Sequence, residues 1–543
     1  MHCTHKVTRS ACWSTLEAVE RTNASHLKLG PLTANMDAAL ASMASDGVIE
    51  RLWRGDHTLW SDDPTEITQP NRLGWLEVID SIAPETASLK QFAAEVAAEG
   101  YRRLVLMGMG GSSLAPEVMQ RTFGVATGML HLSVLDTTNP DSVLSLAREL
   151  DLERTLFLVA SKSGSTIETL SHFEYFWSLA PQGRHFIAVT DEGSLLQKLG
   201  AERGFRRVFV NRPDIGGRYS ALSYFGLVPA ALIGADIDEM LSMARLVAEE
   251  CRVTDPRANP HACLGAAMGE AALVGRDKLT LFLPNELSSF GDWAEQLLAE
   301  STGKAGKGII PIVGEPAGPP SSYGSDRLFV AIGAHADVSG LEAAGHPVVQ
   351  LPYAGKQQLG AEFFRWQFAT AVVASVLAIN PFDQPDVQSA KDATARALAA
   401  PTAEGVPNDG LGELAALLKE GDYIAIQAHL AGTPANDAAL AELRLRLRDR
   451  YRLATTVGYG PRFLHSTGQL HKGGPNSGVF IQLVGDNRAD LTIPGQPYKF
   501  GRLKRAQADG DLEALRSRGR RVLRLRLGTD AESAIAGLAA SVV

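Results

Sequence analysis

The hydrophobic positions along the chain change their period after Pro70. Before that residue, apolar side chains within 35–52 recur at helical spacing, which predicts a helix. After it, short and almost continuously apolar runs alternate with helical stretches. Strands that are covered by helices on both faces have this pattern, because neither face meets water. The first such runs predict one parallel α/β layer of the doubly wound kind, with strands at 103–109, 131–135, 155–160, 185–190 and 207–211.

A second series of apolar runs predicts another α/β layer. A long, mostly buried helix is expected over 363–379. We therefore divide the chain into a loosely ordered N-terminal segment (1–34), a first domain (35–235) and a second domain (236–543) with a long insertion and a C-terminal segment. Two α/β halves of this kind leave a cleft between them, where ligands bind at the carboxyl ends of strands. The strands of the second series are predicted at 279–283, 308–313, 328–331, 347–351, 423–427, 479–484 and 521–527.

The composition indicates a globular protein and disfavours membrane and nucleic-acid-binding proteins. Hydrophobic residues make up 45% and charged residues 21% of the chain, as in globular proteins. With 52 basic and 61 acidic residues the net charge is −9, which disfavours nucleic acid and anionic membrane as partners. The longest mostly apolar stretch, 371–379, is about half as long as a membrane span. Four scattered cysteines are too few for disulfide bonds to stabilise a fold of this size. We therefore expect a protein of the reducing cytoplasm.

Two strand-to-helix turns have the composition of an anion site. The segment 108–114, GMGGSSL, has glycines that let backbone N–H groups approach an anion, although a dinucleotide site or a tight turn would look similar. The segment 161–169, SKSGSTIET, follows the strand 155–160 and contains five hydroxyls, a lysine and a glycine. Hydroxyl and N–H donors suit a phosphate with three acceptor oxygens. The second segment therefore predicts a phosphate or sugar-phosphate pocket.

Side chains further along the chain could complete this pocket. Gly217 and Arg218 follow the fifth strand, where a guanidinium can contact an anion. Gln296 and Glu300 are four residues apart on one face of a predicted helix that ends at Gly303. The dipole near a helix C-terminus disfavours an ionised carboxylate, which suits Glu300 to proton transfer and makes it a candidate base. No partner set with metal-ligand spacing accompanies the histidines, so no metal site is predicted. The remaining clusters are 380–391, NPFDQPDVQSAK, and 465–474, HSTGQLHKGG.

Taken together, these motifs resemble the signatures of the phosphoglucose isomerase family and, more narrowly, the isomerase half of bacterial transaldolase–isomerase fusions. The resemblance implies two SIS-type doubly wound domains, each a three-layer α/β/α unit, with a C-terminal extension. It implies interconversion of glucose 6-phosphate and fructose 6-phosphate without metal or organic cofactor. It also implies that the only partner is a hexose 6-phosphate, apart from a possible homodimer.

The resemblance also implies a role for each site residue. Glu300 would move a proton between C1 and C2, Arg218 would stabilise the cis-enediolate, and Lys391 would assist ring opening. The substrate-binding residues would be Ser112, Ser161, Lys162, Ser163 and Thr166 around the phosphate, with Gly217, Gln296 and Gln384 completing the site.

The chain departs from the family pattern at two places. The ring-opening histidine usually lies a few tens of residues after the catalytic glutamate, but the interval 306–328 has no histidine. The segment that begins at Leu464 resembles the histidine segment of bacterial members, so we assign the role to His465, with His471 in reserve. The second departure is Asp386 in place of a glycine, which would cap the helix of Lys391 or depress that lysine's acidity.

Three alternatives stay open at this point. A dual isomerase would also accept mannose 6-phosphate, but such relatives commonly have threonine seven residues before the lysine, where this chain has Gln384. A non-catalytic sugar-phosphate sensor would keep the hydroxyl-rich segment without needing Glu300, Lys391 and His465 together. A nicotinamide dehydrogenase is the third alternative, and it would require nucleotide binding.

Overall fold

The structure is a computed structural model that describes residues 26–63, 65, 72–335, 337–399 and 408–542. Most of the predicted loose segment 1–34 lies outside these residues. Its described end forms strand β1 (His26–Lys28). Where one helix was predicted over 35–52, the chain forms α1 (Thr33–Ser45) and α2 (Val48–Trp53). The single helix was wrong because Gly47, between the two, adopts a left-handed backbone with φ of 61° that a continuous helix cannot contain.

The first sheet is parallel, with the strand order β3-β2-β4-β5-β6. This confirms the first predicted α/β layer. Every residue of the central strand β4 is buried, as its continuous apolar run requires. The strands are β2 (Arg103–Met107), β3 (His131–Leu135), β4 (Thr155–Ala160), β5 (Phe186–Asp191) and β6 (Arg207–Asn211).

The second sheet has the order β1-β10-β9-β7-β8, in which β1 pairs antiparallel with β10 and the other pairs are parallel. The N-terminal strand therefore joins a sheet whose other strands begin about 250 residues later, as Lys28 pairs with Val348 and Lys278 with Arg327. The strands are β7 (Lys278–Phe282), β8 (Ile310–Ile312), β9 (Arg327–Ile332) and β10 (Val348–Leu351).

The last four strands form a separate third sheet. The sequence analysis had assigned those that it predicted to the second domain. Its order is β12-β11-β13-β14, and all its pairs are parallel. Strand β12 was not predicted. Both edges of β11 are taken by β12 and β13, so β11 cannot extend the second sheet. We call residues 408–542 the C-terminal unit; the domain boundary at 235 stays a prediction. The strands are β11 (Tyr423–His429), β12 (Ala454–Tyr459), β13 (Gly478–Gly485) and β14 (Arg521–Gly528).

Helices surround the three sheets. They are α3 (Val78–Ile82), α4 (Thr86–Ala98), α5 (Leu114–Phe123), α6 (Pro140–Glu149), α7 (Ile167–Leu179), α8 (Leu195–Glu202), α9 (Tyr224–Leu232), α10 (Ile237–Glu250), α11 (Pro260–Leu273), α12 (Phe290–Thr302), α13 (Val338–Ala343), α14 (Leu359–Leu377), α15 (Val387–Ala399), α16 (Leu414–Leu417), α17 (Pro434–Tyr451), α18 (Gly468–Gly473), α19 (Phe500–Ser517) and α20 (Ala531–Ser541).

Helix α14 is the long buried helix that the sequence predicts, and it packs against α10, α11 and α12. Its Phe363 meets Trp293 of α12 edge to face, with ring centroids 4.7 Å apart, and its Trp366 contacts Phe290 of α12. All four rings are buried. This aromatic contact fixes α12, the helix that carries Gln296 and Glu300, against the core.

No helix among the residues that the structure describes combines the length and the apolar character needed to cross a bilayer.

A buried ion pair joins α18 to α19 within the C-terminal unit. Lys472 Nζ lies 2.6 Å from Asp511 Oδ1, and the two side chains are 1% and 0% exposed. We predict that Lys472→Met lowers the free energy of unfolding by about 3–5 kcal/mol, because it leaves the Asp511 carboxylate unpaired in the interior. Urea unfolding measures this cost. The control is Lys472→Met combined with Asp511→Leu, which should cost clearly less; equal costs would contradict the prediction.

Candidate active site

The site begins where strands β2 and β4 lie side by side in the first sheet. The chain leaves β2 toward β3 on one side and leaves β4 toward β5 on the other, so the connections diverge at this point. Such a divergence opens a crevice at the carboxyl ends of the two strands. The two predicted anion segments, 108–114 and 161–169, begin directly after these strands. The strand order therefore brings them together.

Hydroxyls and backbone N–H groups shape the turn after β4. The Ser161 hydroxyl lies 2.9 Å from the Thr166 hydroxyl and accepts a hydrogen bond from the Gly164 N–H at 3.1 Å. The Ser163 hydroxyl lies 3.0 Å from that of Ser165. Ser161 is buried beneath the turn, whereas Ser163 and Thr166 line a cavity of about 510 Å³.

Lys162 and two residues that the sequence analysis missed line the same cavity. The Lys162 ammonium pairs with Asp191 and donates to the Pro213 carbonyl at 2.9 Å. Burial lowers the pKa of Lys162 and raises the pKa of Asp191. Arg72 also lines the cavity and donates to the Pro213 carbonyl, at 3.2 Å. A lone arginine far from any motif gave no signal in the sequence.

Hydrogen bonds hold the guanidinium of Arg218 beside Glu300. It donates to the Ser301 hydroxyl at 2.9 Å and to the carbonyls of Pro381 and Asp383 at 2.6 and 2.8 Å. Its Nη1 lies 3.3 Å from Glu300 Oε1. Arg218 is 3% exposed and the Glu300 side chain 13%. A fixed cation thus stands next to a carboxylate that still reaches the cavity.

Helix α12 presents Gln296 and Glu300 to the cavity one turn apart. The Gln296 amide donates to Glu300 Oε2 at 3.0 Å and to the backbone carbonyl of His465 at 2.8 Å. This single side chain joins the candidate base to the segment of the candidate histidine, which lies 169 residues further along the chain.

Another neighbour of Glu300 is the Lys304 ammonium, which donates to Asp383 at 2.6 Å and to the Asn380 carbonyl. Burial and the charge of Arg218 lower the pKa of Lys304 to about 7.

The imidazole of His465 lines the cavity and has a buried partner that the sequence analysis missed. Its Nε2 lies 2.9 Å from Oε1 of Glu168, which is 3% exposed. Burial alone would lower the pKa of His465, but the charge and hydrogen bond of Glu168 outweigh it and raise the pKa above 6.5. The imidazole lowers the pKa of Glu168 in turn. Both shifts favour the ionised pair. The only signal in the sequence was the position of Glu168 at the start of the helix after the hydroxyl-rich turn.

The reserve candidate His471 is placed elsewhere. It is buried among the rings of Phe463 and Phe480, and its Nδ1 lies 3.2 Å from the Gln427 amide. Burial lowers its pKa well below the usual value. His471 is absent from the residues that line the described cavity, whereas His465 is among them.

The 380–391 segment brings Gln384 and Lys391 to the cavity. Gln384 Oε1 accepts from Arg218 at 3.0 Å, and Lys391 is exposed on α15. The carboxylate of Asp386 accepts from Gln469 at 2.7 Å and pairs with Arg518, and its expected effect on Lys391 or on the helix of that lysine stays a prediction. These contacts tie the start of α15 to the C-terminal unit.

The structure therefore brings the predicted site residues, apart from the buried Ser161, to one cavity. Among the described residues there is no group of three or more His, Cys, Asp and Glu side chains that could hold a metal ion. The cavity is lined by Ser112, Lys162, Ser163, Thr166, Gly217, Arg218, Gln296, Glu300, Gln384, Lys391 and His465, together with Arg72 and Asp191.

The turn after β2 needs glycine because other segments approach its backbone. Gly110 has a left-handed φ of 53°, and a Cβ there would overlap the His465 carbonyl and lie 2.8 Å from Gln296 Nε2. A Cβ on Gly111 would overlap the carbonyl of Gly217. The absence of side chains at these positions lets the segments of His465 and Arg218 close over the turn.

We predict that Gly110→Ala lowers the free energy of unfolding by about 1–3 kcal/mol more than Gly128→Ala does, because only the first change forces neighbouring groups apart. Gly128 is a matched control: its φ is 84° and a Cβ there meets no atom within 4 Å, so it reports the cost of the backbone conformation alone. Urea unfolding of the two variants provides the comparison. Equal losses would mean that the His465 segment does not press on Gly110.

Part of the chain is similar to proteins of known family. The phosphoglucose isomerase family model matches residues 77–309. The chain is similar to a glucose-6-phosphate isomerase from Thermosynechococcus vestitus, 33% identical over 267 residues that cover 45% of this chain and 48% of the relative. A glucose-6-phosphate isomerase from Thermus thermophilus is 29% identical over 391 residues, which cover 60% of this chain and 90% of the relative. The chain spans about half the length of the first curated relatives it matches.

A solved structure of a glucose-6-phosphate isomerase from Chlamydia trachomatis aligns with a TM-score of 0.57 at 20% identity, over 67% of this chain and 86% of that one. This likeness supports the fold. The resemblance to transaldolase fusions stays a prediction. Residues 77–309 include both anion segments, Arg218 and Glu300, whereas Lys391 and His465 follow them. Over residues 77–309 the chain is therefore similar to the phosphoglucose isomerase family.

Proposed function

We propose that this protein interconverts glucose 6-phosphate and fructose 6-phosphate. The observation that carries the proposal is the pairing of the Glu300 carboxylate with the Arg218 guanidinium, 3.3 Å apart, in the cavity that the hydroxyl-rich turn also lines. An aldose–ketose shift needs a base for a carbon-bound proton and a cation for the oxygens that become negative. The family match over residues 77–309 supports the same reaction. A cytoplasmic homodimer stays a prediction.

The phosphate would bind at the turns after β2 and β4. Ser112, Ser163 and Thr166 offer hydroxyl donors there, and Lys162 and Arg72 supply positive charge. A phosphate with three acceptor oxygens can use several such donors at once. Binding at this end would leave the sugar carbons toward α12.

Ring opening would be the task of His465. The substrate is mostly cyclic, so a proton must reach the ring oxygen before the C1 and C2 chemistry begins. Glu168 raises the pKa of His465, which keeps the imidazole protonated at a higher pH than an isolated histidine. Lys391, exposed at the same cavity, would assist this step.

Glu300 would then take the proton from C2 and return it to C1. Arg218 would stabilise the enediolate oxygens, because its guanidinium is already fixed by Ser301 and two backbone carbonyls and need not reorganise. Gln296 would hold Glu300 in place through its hydrogen bond at 3.0 Å.

Gln384 would favour glucose over mannose configuration. It lines the cavity and accepts a hydrogen bond from Arg218, so its amide stands beside the proposed C1 and C2 chemistry. An assay with mannose 6-phosphate tests this specificity directly.

We predict that Glu300→Gln lowers the rate of isomerisation by roughly 10²–10⁴-fold, the usual contribution of a correctly positioned general base. The measurement is fructose 6-phosphate turnover coupled to glucose-6-phosphate dehydrogenase. The variant should still interconvert the anomers of glucose 6-phosphate, because ring opening precedes transfer of the carbon-bound proton. Anomer exchange is followed by NMR.

Glu295→Gln is the matched control on the same helix. Burial and the charge of Asp292 raise the pKa of Glu295 to about 8, so its carboxyl is largely protonated at pH 7 and glutamine is a close mimic. This control should keep its turnover. Near-normal turnover of Glu300→Gln would remove Glu300 from the role of base.

We also predict a shift of the pH profile in Glu168→Gln. Glu168 raises the pKa of His465, so removing its charge lets burial lower that pKa. Protonated His465 is then lost at lower pH, and the alkaline limb of kcat/KM should move to lower pH than in the wild type. A limb that stays in place or moves upward would contradict a role for the Glu168–His465 pair in ring opening.

A further inference from the structure

The buried carboxylate of Glu168 has a second donor that comes from the C-terminal unit. Gln507 of α19 donates from its amide nitrogen to Glu168 Oε1 at 2.7 Å. This is the same oxygen that lies 2.9 Å from His465 Nε2. The hydroxyl of Thr138 lies 2.6 Å from the amide oxygen of Gln507. We call Thr138, Gln507, Glu168 and His465 the relay chain.

The contacts of the relay chain fix the orientation of the Gln507 amide. A threonine hydroxyl can donate to the amide oxygen, and an ionised carboxylate can only accept from the amide nitrogen. Reversing the amide would place its oxygen against the carboxylate of Glu168. Thr138, Gln507 and Glu168 are 0%, 2% and 3% exposed, so water offers little alternative to these partners.

Such an arrangement restrains the carboxylate that orients the histidine. A buried glutamate with one partner could rotate its carboxyl group, and the imidazole would follow it. Here Oε1 faces two partners, His465 and Gln507, and Thr138 holds Gln507 in place. Only one orientation of the carboxyl group then makes every hydrogen bond. The segments involved are far apart in sequence: Gln507 is 339 residues from Glu168 and 369 from Thr138.

We propose that Gln507 is a positioning residue for ring opening, acting through Glu168 on His465 and held in turn by Thr138. The inference rests on the proposed isomerase function. It makes the C-terminal unit, which lies outside the family match at 77–309, a part of the site. Neither Gln507 nor Thr138 is among the residues that line the described cavity, so both act without touching the substrate.

The test compares Gln507→Leu and Thr138→Val with wild type in two assays. The first measures kcat for isomerisation and the inhibition constant of inorganic phosphate. The second measures anomer exchange of glucose 6-phosphate in the Glu300→Gln background, where ring opening is observed alone. We expect Gln507→Leu to lower kcat and anomer exchange by roughly 10–10²-fold, the scale of a misplaced catalytic group, with the phosphate inhibition constant changed less than about two-fold.

Conservative and matched variants separate positioning from folding. Thr138→Ser keeps the hydroxyl and should restore most of the activity that Thr138→Val loses. Gln427→Leu removes another buried amide of the C-terminal unit, one whose partner is His471, and should leave both rates near wild type. If Gln507→Leu fails to fold, Thr138→Val and Thr138→Ser are compared in the same two assays.

Three results would overturn the inference, and a fourth would overturn the function on which it rests. Anomer exchange that is unchanged in Gln507→Leu and Thr138→Val would remove both from ring opening. A parallel loss of phosphate binding, or an equal loss in Gln427→Leu, would reduce Gln507 to a structural role. A wild-type protein that neither isomerises nor exchanges anomers would instead overturn the proposed function on which the inference rests.

Discussion

The site depends on holding the His465 segment inside the cleft with its polar groups satisfied. Its backbone carbonyl accepts from Gln296 of α12, and its imidazole meets Glu168 of α7. Arg462, one turn earlier, pairs with Glu117 and lies 3.0 Å from Asp136 Oδ2. A polar segment that enters a buried cleft loses its hydration, so each of these partners offsets part of that cost.

The strands were predictable because they are buried on both faces. The apolar run at 155–160 coincides with β4, and those at 131–135 and 207–211 coincide with β3 and β6. Parallel strands that are covered by helices carry this signal locally. The meeting of the two anion segments followed from general topology, since strand ends at a point of divergence share a crevice.

What could not be predicted depends on contacts between distant segments. The local pattern of apolar residues does not predict that β11 pairs with β12 and β13 and so belongs to a separate sheet. It also gives no reason for the 408–542 unit to return to the first sheet. Gln507 belongs to no motif, and although Glu168 lies in the 161–169 segment, its contacts are with residues hundreds of positions away. At Asp386 the residue type was noticed, but its partners Gln469 and Arg518 were beyond the reach of sequence.

The order of the site residues along the chain is less constrained than their geometry. The two anion segments, Arg218 and the proposed base Glu300 lie within 77–309, and the anion segments directly follow strands β2 and β4. The histidine makes its contacts through one carbonyl and one ring, so any segment that reaches Gln296 and Glu168 can supply it. The segment that carries this histidine lies outside residues 77–309, so contacts from elsewhere in the chain must hold it in the cleft. The C-terminal unit supplies such contacts: it carries His465 itself, it contacts the start of α15 through Gln469 and Arg518, and its Gln507 donates to the Glu168 carboxylate beside the imidazole.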